Sequence, residues 1–261
     1  MNTPVVPPFP ELRAPAHWRT ADFISDLHLQ PSDPATFDAW RGYMGTTPAD
    51  AVFILGDLFE AWIGDDSALE PGFEADCAAV LKAATARMPV FLMHGNRDFL
   101  IGPALMRSTG ATLLDDPTVF TLLGQRWLLT HGDALCLADG DYQAFRAKVR
   151  SADWQRDFLA RPLAQRTEIA KGLRDESEAR KRSGTSDVDV DVDVDVAAAT
   201  AWLQAAAATR MIHGHTHRPA DHDLAPGLHR VVLSDWDAAA ASPRVQVLRI
   251  GDAGPARIAL A

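Results

Sequence analysis

Two cysteines, Cys77 and Cys136, are all that the 261 residues contain. A single pair cannot build a disulfide scaffold, and free thiols fit a reducing compartment. No apolar run approaches the roughly 20 residues that span a bilayer, which excludes a transmembrane helix of ordinary length. The opening residues MNTPVVPPFPELRAPAHW lack the basic and apolar regions of a signal peptide, so no leader is expected. Positive charge is also short. With 25 Lys and Arg against 35 Asp and Glu, the net charge of −10 argues against a nucleic-acid binder.

What is present reads as globular. The chain is 47% hydrophobic and 23% charged, long enough for one large domain with a full core. Five of the 17 prolines fall in the first 18 residues, predicting a surface arm over residues 1–20 and a domain over 21–261. Short apolar runs then recur at Ala21–Ser25, Val52–Leu55, Val90–Met93, Arg126–Thr130, Met211–His213, Arg230–Ser234 and Val245–Ile250. Their length and Val, Ile, Leu and Phe content predict buried strands. Phe73–Arg87 and the Ala-rich Ala197–Ala208 predict helices, and the alternation predicts an α/β fold with a sheet core.

Residues 140–183 carry no strand signal, and Trp154, Phe158, Leu159, Leu163, Ile169 and Leu173 lie near helical spacing. This stretch reads as a helical cap inserted between two strands. Trp154 and Phe158 fit either the cap's own core or a lipid-facing surface. After it, DVDVDVDVDV at Asp187–Val196 lacks the glycine turn and closing Glu of a calcium loop, and reads as a solvated low-complexity loop.

Five motifs succeed predicted strands: Ser25-Asp26-Leu27-His28, Gly56-Asp57-Leu58-Phe59-Glu60, Gly95-Asn96-Arg97-Asp98, His131-Gly132-Asp133 and Gly214-His215-Thr216-His217. Each alone is ordinary turn chemistry. Together, at the strand ends where α/β folds build sites, they offer carboxylates, imidazoles and an amide oxygen but no thiolate. That set suits Mn²⁺, Fe or Zn²⁺ in a catalytic site, and it is too large for one tetrahedral ion. Two ions sharing a carboxylate would account for it, as in two-metal phosphoryl transfer. His94 and His213, just before turns, read as packing residues, Asp98 and Asp133 as carboxylates that orient neighbours, and Cys136 as a small buried hydrophobe.

The order D-x-H, G-D, G-N, H, G-H-x-H resembles the calcineurin-like metallophosphoesterases. FISDLHL, ILGDLFEAWIGDD, HGNRDFLIG, HGDALC, YQAFRAKVR and IHGHTHRPA are similar to the branch of that family acting on an acylated UDP-sugar in lipid A synthesis. Arg97 is informative, because the wider family more often has histidine after G-N. The resemblance implies two packed β-sheets flanked by helices, with a dinuclear site and a helical cap. It implies that Asp26, His28, Asp57 and His217 hold one ion, and Asp57, Asn96, His131 and His215 the other. Both ions are expected to be Mn²⁺. Asn96, Arg97 and His131 are the implied catalytic residues, with Arg97 on a phosphate oxygen. Asn96, Arg97, Asp139, Tyr142, Ser177, Lys181 and His215 are the implied substrate contacts.

The implied reaction is hydrolysis of UDP-2,3-diacylglucosamine by water attack at the α-phosphorus, giving UMP and 2,3-diacylglucosamine 1-phosphate. Such a substrate places the chain peripherally on the cytoplasmic face of the inner membrane, without an obligate protein partner. Two other functions stay open: another dinuclear phosphodiesterase or nucleotide phosphatase, and a metal-free binding scaffold. The acidic total hides a contrast. Tyr142–Arg182 holds 11 Lys and Arg against six Asp and Glu, a net of +5, leaving −15 elsewhere. A basic cap therefore faces the anionic substrate that the resemblance implies.

Overall fold

The computed structural model describes residues 5–183 and 192–260, apart from the side chains of 174–183. The first half of the chain runs through β1 (Glu11–Arg13), β2 (Ala21–Ile24), α1 (Pro34–Thr46), β3 (Ala51–Leu55), α2 (Phe73–Thr85), β4 (Val90–Met93) and α3 (Pro103–Thr109). Then come β5 (Thr112–Leu114), β6 (Thr118–Leu122), β7 (Gln125–Leu129), α4 (Gly140–Val149), α5 (Ala152–Leu159) and α6 (Leu163–Ser183). The rest is α7 (Val196–Ala205), β8 (Arg210–His213), β9 (Ala220–Ala225), β10 (Leu228–Val232), β11 (Gln246–Gly251) and β12 (Gly254–Ala259).

Two six-stranded sheets form, ordered β12-β11-β2-β3-β4-β5 and β1-β6-β7-β8-β10-β9. Strands buried on both faces need apolar side chains on both, which is why β2, β3 and β4 read as short near-continuous apolar runs. One face of each points into the space between the sheets, where Phe23, Phe53 and Phe91 meet Phe120, Trp127 and Ile212. Phe53 stacks between Phe23 and Phe91, with centroids at 4.9 and 4.7 Å, and lies 4.6 Å from Phe120. On the other face, Ile24, Ile54 and Leu92 pack with residues of α1 and α2, including Trp40 and Leu81. Across the second sheet, Leu128 and Met211 pack on Trp202 and Leu203 of α7. The expected layers of helix, sheet, sheet and helix are present.

Residues 140–183 form three helices, as expected for the cap. Trp154 and Phe158 stack at 4.8 Å, with Phe158 buried, so both serve the cap's core and its join to the domain. The proline-rich arm is a correction: it is part of the sheet. β1 pairs in parallel with β6, Trp18 is buried, and the Trp202 indole N–H donates to the Val5 carbonyl at 2.9 Å. The end of the Asp-Val tract is a second correction. Its residues 187–191 lie outside the described residues; residues 192–195 form no helix or strand, but Val194 is buried and Asp193 half-buried, while Asp195 stays exposed. Asp193 accepts two hydrogen bonds from Arg230 at 2.6 and 2.7 Å, Val194 is buried, and Asp195 caps α7 through the Ala198 amide. Burial opposes the charge on Asp193, yet Arg230 holds its carboxyl down at about 2.

Replacing Phe53 by alanine empties the junction of both sheets. The expected loss is about 3–5 kcal/mol in urea unfolding; a loss below about 1 kcal/mol would contradict the shared core.

Candidate metal centre

Register sets Ile24 opposite Ile54, Leu55 opposite Met93 and Leu129 opposite Ile212, so β2, β3, β4, β7 and β8 finish along one edge of the molecule. Asp26, Asp57, Asn96, His131 and His215 come within three residues of those strand ends. The turns there are strained. Asp26, His28, Asp57, His215 and His217 have φ of 54, 48, 52, 66 and 52°, a region that costs a non-glycine residue about 1–3 kcal/mol. Neighbouring glycines make the space. A methyl on Gly95 would overlap the carboxylate and amide nitrogen of Asp57, and one on Gly214 would overlap the Asp26 carboxylate. G-N and G-H are therefore pairs in which the glycine admits a side chain from another loop.

The donor atoms converge in two adjoining groups. In the first, His28 Nε2 lies 3.2 Å from His217 Nε2, and His217 Nε2 lies 3.4 Å from Asp26 Oδ1. In the second, Asn96 Oδ1 lies 3.0 Å from His131 Nε2 and 2.9 Å from His215 Nδ1. Asp57 Oδ2 sits between them, 4.0 Å from His28 Nε2 and 3.8 Å from His131 Nε2. Ligand atoms of Asp26, His28 and His217 all lie within 4.8 Å of one another, as do those of Asp26, Asp57 and His131.

Hydrogen bonds behind these atoms fix which face points inward. His131 Nδ1 is 2.9 Å from the Leu55 carbonyl; with its N–H donated there, a neutral ring presents an Nε2 lone pair to the Asn96 oxygen, another acceptor. His28 Nδ1 is 3.1 Å from Glu60 Oε2, and the same reasoning turns its Nε2 toward His217. Acceptors so close require a proton or a cation between them, and hard oxygens mixed with imidazoles suit a divalent ion. The residues fit such a group.

Electrostatics point the same way. Burial opposes the charge on Asp26, but the hydrogen bond to His217 and the surrounding imidazoles hold its carboxyl well below the usual range. Burial pushes Asp57 up to about 6 against the pull of His131 and His28. Burial would lower His131, yet Asp57, Asp26 and Asp133 raise it to about 9. Burial and the charge of His131 depress His215 to about 3. In the metal-free protein, then, a proton on His131 balances two buried carboxylates, a charge that a cation would balance more fully.

The structure gathers all seven expected ligands at one place. Arg97 is beside them, its amide donating to Asp57 Oδ1 at 2.8 Å and its guanidinium 3.8 Å from Glu60 Oε1. Asp98 accepts from the amides of Asp57, Leu58 and Gly95, tying two ligand loops together. His94 bonds the Ile101 carbonyl, and buried His213 bonds that of Gly214, so both act in packing. Asp139 caps α4 through the Tyr142 amide. The Tyr142 ring stacks 6.0 Å from His215, while its hydroxyl donates to Asp133 at 2.7 Å. Ser177 and Lys181 lie outside the described side chains. Sequence reasoning assigned no part to Glu60, Asp235, Arg146 or Arg150. Glu60 and Asp235 sit behind His28 and His217, at 3.1 and 4.0 Å; Glu60 lies in the G-D-L-F-E run and Arg146 and Arg150 in YQAFRAKVR, while Asp235 falls in none of the motifs.

Comparison with known proteins adds an independent line. Residues 20–219 match the family described as calcineurin-like phosphoesterase. A UDP-2,3-diacylglucosamine hydrolase of Xanthomonas axonopodis pv. citri is 46% identical over 228 residues, covering 83% of this chain and 91% of its own length. One from Chromobacterium violaceum is 45% identical over 221 residues, covering 82% and 89%.

Gly95→Ala is expected to weaken divalent-ion binding by about 10–100-fold while leaving far-UV circular dichroism unchanged. Isothermal titration with Mn²⁺ reads the change, and wild-type affinity would contradict the role given to this glycine.

Proposed function

The chain belongs to the calcineurin-like phosphoesterase family, and from that premise we propose that it hydrolyses the pyrophosphate of UDP-2,3-diacylglucosamine in lipid A synthesis. Water adds to the α-phosphorus, the bond from that phosphorus to the bridging oxygen breaks, and UMP and 2,3-diacylglucosamine 1-phosphate leave. Asp26, His28, Asp57 and His217 would hold one divalent ion; Asp57, Asn96, His131 and His215 would hold the other, with Mn²⁺ the proposed metal in both. Bound ions of this kind lower the pKa of water and neutralise phosphate charge, so no Ser or Cys nucleophile is required.

The protein's own groups supply the rest. Asp57 would serve both ions, and Asp98 holds its loop in place by accepting from the Asp57 and Leu58 amides. Arg97, always charged and partly exposed, lies where it can reach a phosphate oxygen and stabilise the charge that develops there. Asp139, Tyr142, Ser177 and Lys181 are assigned to the substrate from the cap side, and His215 from the core.

One observation carries the choice of substrate beyond its 46% identical relatives: the insertion over the ligand loops is basic and apolar at once. In sequence it carries a net +5, suited to an anionic substrate, and Phe145, Leu159, Leu163 and Leu173 are exposed on it, as acyl chains and a bilayer surface require. Among the described residues no helix is long and apolar enough to cross a membrane. Peripheral attachment to the cytoplasmic face of the inner membrane is the placement that such a substrate demands.

The test is to incubate the purified protein with UDP-2,3-diacylglucosamine in ¹⁸O-water, with Mn²⁺ and then with EDTA. The label is expected in UMP, with turnover lost on chelation; label in the sugar phosphate would refute α-attack. Preference for a water-soluble nucleotide ester would favour a general phosphodiesterase instead. Arg97→Ala is expected to lower kcat by about 10²–10³-fold with bound metal unchanged, read by steady-state kinetics and elemental analysis.

A further inference from the structure

The cap is joined to the core through α4, and the places where α4 lands are unevenly distributed. Tyr142 Oη and Arg146 Nε both donate to Asp133 Oδ2 at 2.7 Å, and Arg150 lies 3.6 Å from the same oxygen. Gln143 donates to the Asp133 and Cys136 carbonyls at 2.8 and 3.2 Å. Asp133 is fully buried, two residues after His131. Arg150, which closes α4, also donates to the Gly95 carbonyl at 3.0 Å and covers the Phe99 ring at 5.4 Å, on either side of Asn96 and Arg97. The Tyr142 ring covers His215.

Asn96, His131 and His215 are therefore each backed by this one helix. Asp26, His28 and His217 are held otherwise. Asp26 accepts from Ser25 Oγ and the His215 amide, His28 faces Glu60, and His217 faces Asp235. Among the described residues, no polar contact runs from α4 to Asp26, His28 or His217.

We infer that Arg146 and Arg150 are positioning residues for one ion of the pair: through Asp133 and Gly95 they hold His131 and Asn96 at ligand distance, and Asn96 in turn meets His215. The inference rests on the two-ion reading of the proposed function. Partners behind metal ligands act by fixing ligand orientation, and their loss costs about 10–100-fold in metal affinity. The cap is then part of the metal centre, not only a cover for the substrate, and an unseated cap leaves one ion bound and the other weakly held.

The experiment titrates Mn²⁺ into metal-stripped full-length wild type, Arg146→Gln, Arg150→Gln and the double variant. Stoichiometry is read by elemental analysis at buffered free Mn²⁺, and coupling between the ions by electron paramagnetic resonance. Arg156→Gln, at an exposed cap arginine that among the described residues pairs only with Asp153 and Asp157, is the control for cap charge. The expected result is one ion bound within twofold of wild type and the other weakened about 10–100-fold. The coupled signal should give way to that of an isolated ion at intermediate Mn²⁺, with the control unchanged. Equal weakening of both ions, or no weakening of either, overturns the inference, as does a wild type that binds a single ion. If an arginine variant fails to fold, Tyr142→Phe removes one contact to Asp133 and is expected to shift the same ion alone. A wild type that binds two ions without hydrolysing the UDP-sugar would sink only the substrate reading, because the metal titration needs no substrate.

Discussion

Buried charge at the meeting point of two sheets governs the structure. Asp26, Asp57 and His131 are all but sealed from solvent, and the remaining imidazoles press acceptor atoms against them. A buried carboxylate is tolerated only when paired or ligating. In this fold the pairing comes from backbone amides, from protons on imidazoles and, with the donor set available, from divalent ions. The chain belongs to the calcineurin-like phosphoesterase family, which implies divalent ions.

That arrangement is held at a cost met elsewhere in the fold. Five of the expected ligand residues sit in left-handed backbone, at about 1–3 kcal/mol each, and persist because both sheets and their aromatic junction over-determine the turns. Glycines at 95 and 214 complete the packing by leaving out a methyl where another loop's carboxylate must stand. The same logic explains why Asn96 and His215 each follow a glycine: adjacent loops interpenetrate.

Much of this was legible in the sequence, for a physical reason. Strands buried on both faces carry few polar residues, so Val52–Leu55 and Val90–Met93 stand out, and the expected ligands come where those runs stop. β6 was missed because its hairpin turns at Leu123-Gly124, both at positive φ, with no Asn or Asp to announce it. β1 was hidden in proline-rich sequence, and its pairing with β6 depends on a partner more than 100 residues away. The Asp-Val repeat looks uniform, yet Arg230 and the start of α7 give Asp193 and Asp195 distinct positions. The anchors of α4 were illegible for the same reason: nothing local marks Arg146 or Arg150 as facing Asp133 and Gly95.

Seen from the site outward, the insertion has two faces with different duties. Its outer residues present apolar and basic surface, while α4 closes on the ligand loops. The claim beneath both is a dinuclear centre bridged by Asp57. Anomalous diffraction from crystals grown with Mn²⁺ tests it most directly. The account predicts two peaks about 3.5–4 Å apart with the Asp57 carboxylate between them; a single peak, or a pair that Asp57 does not touch, would contradict it.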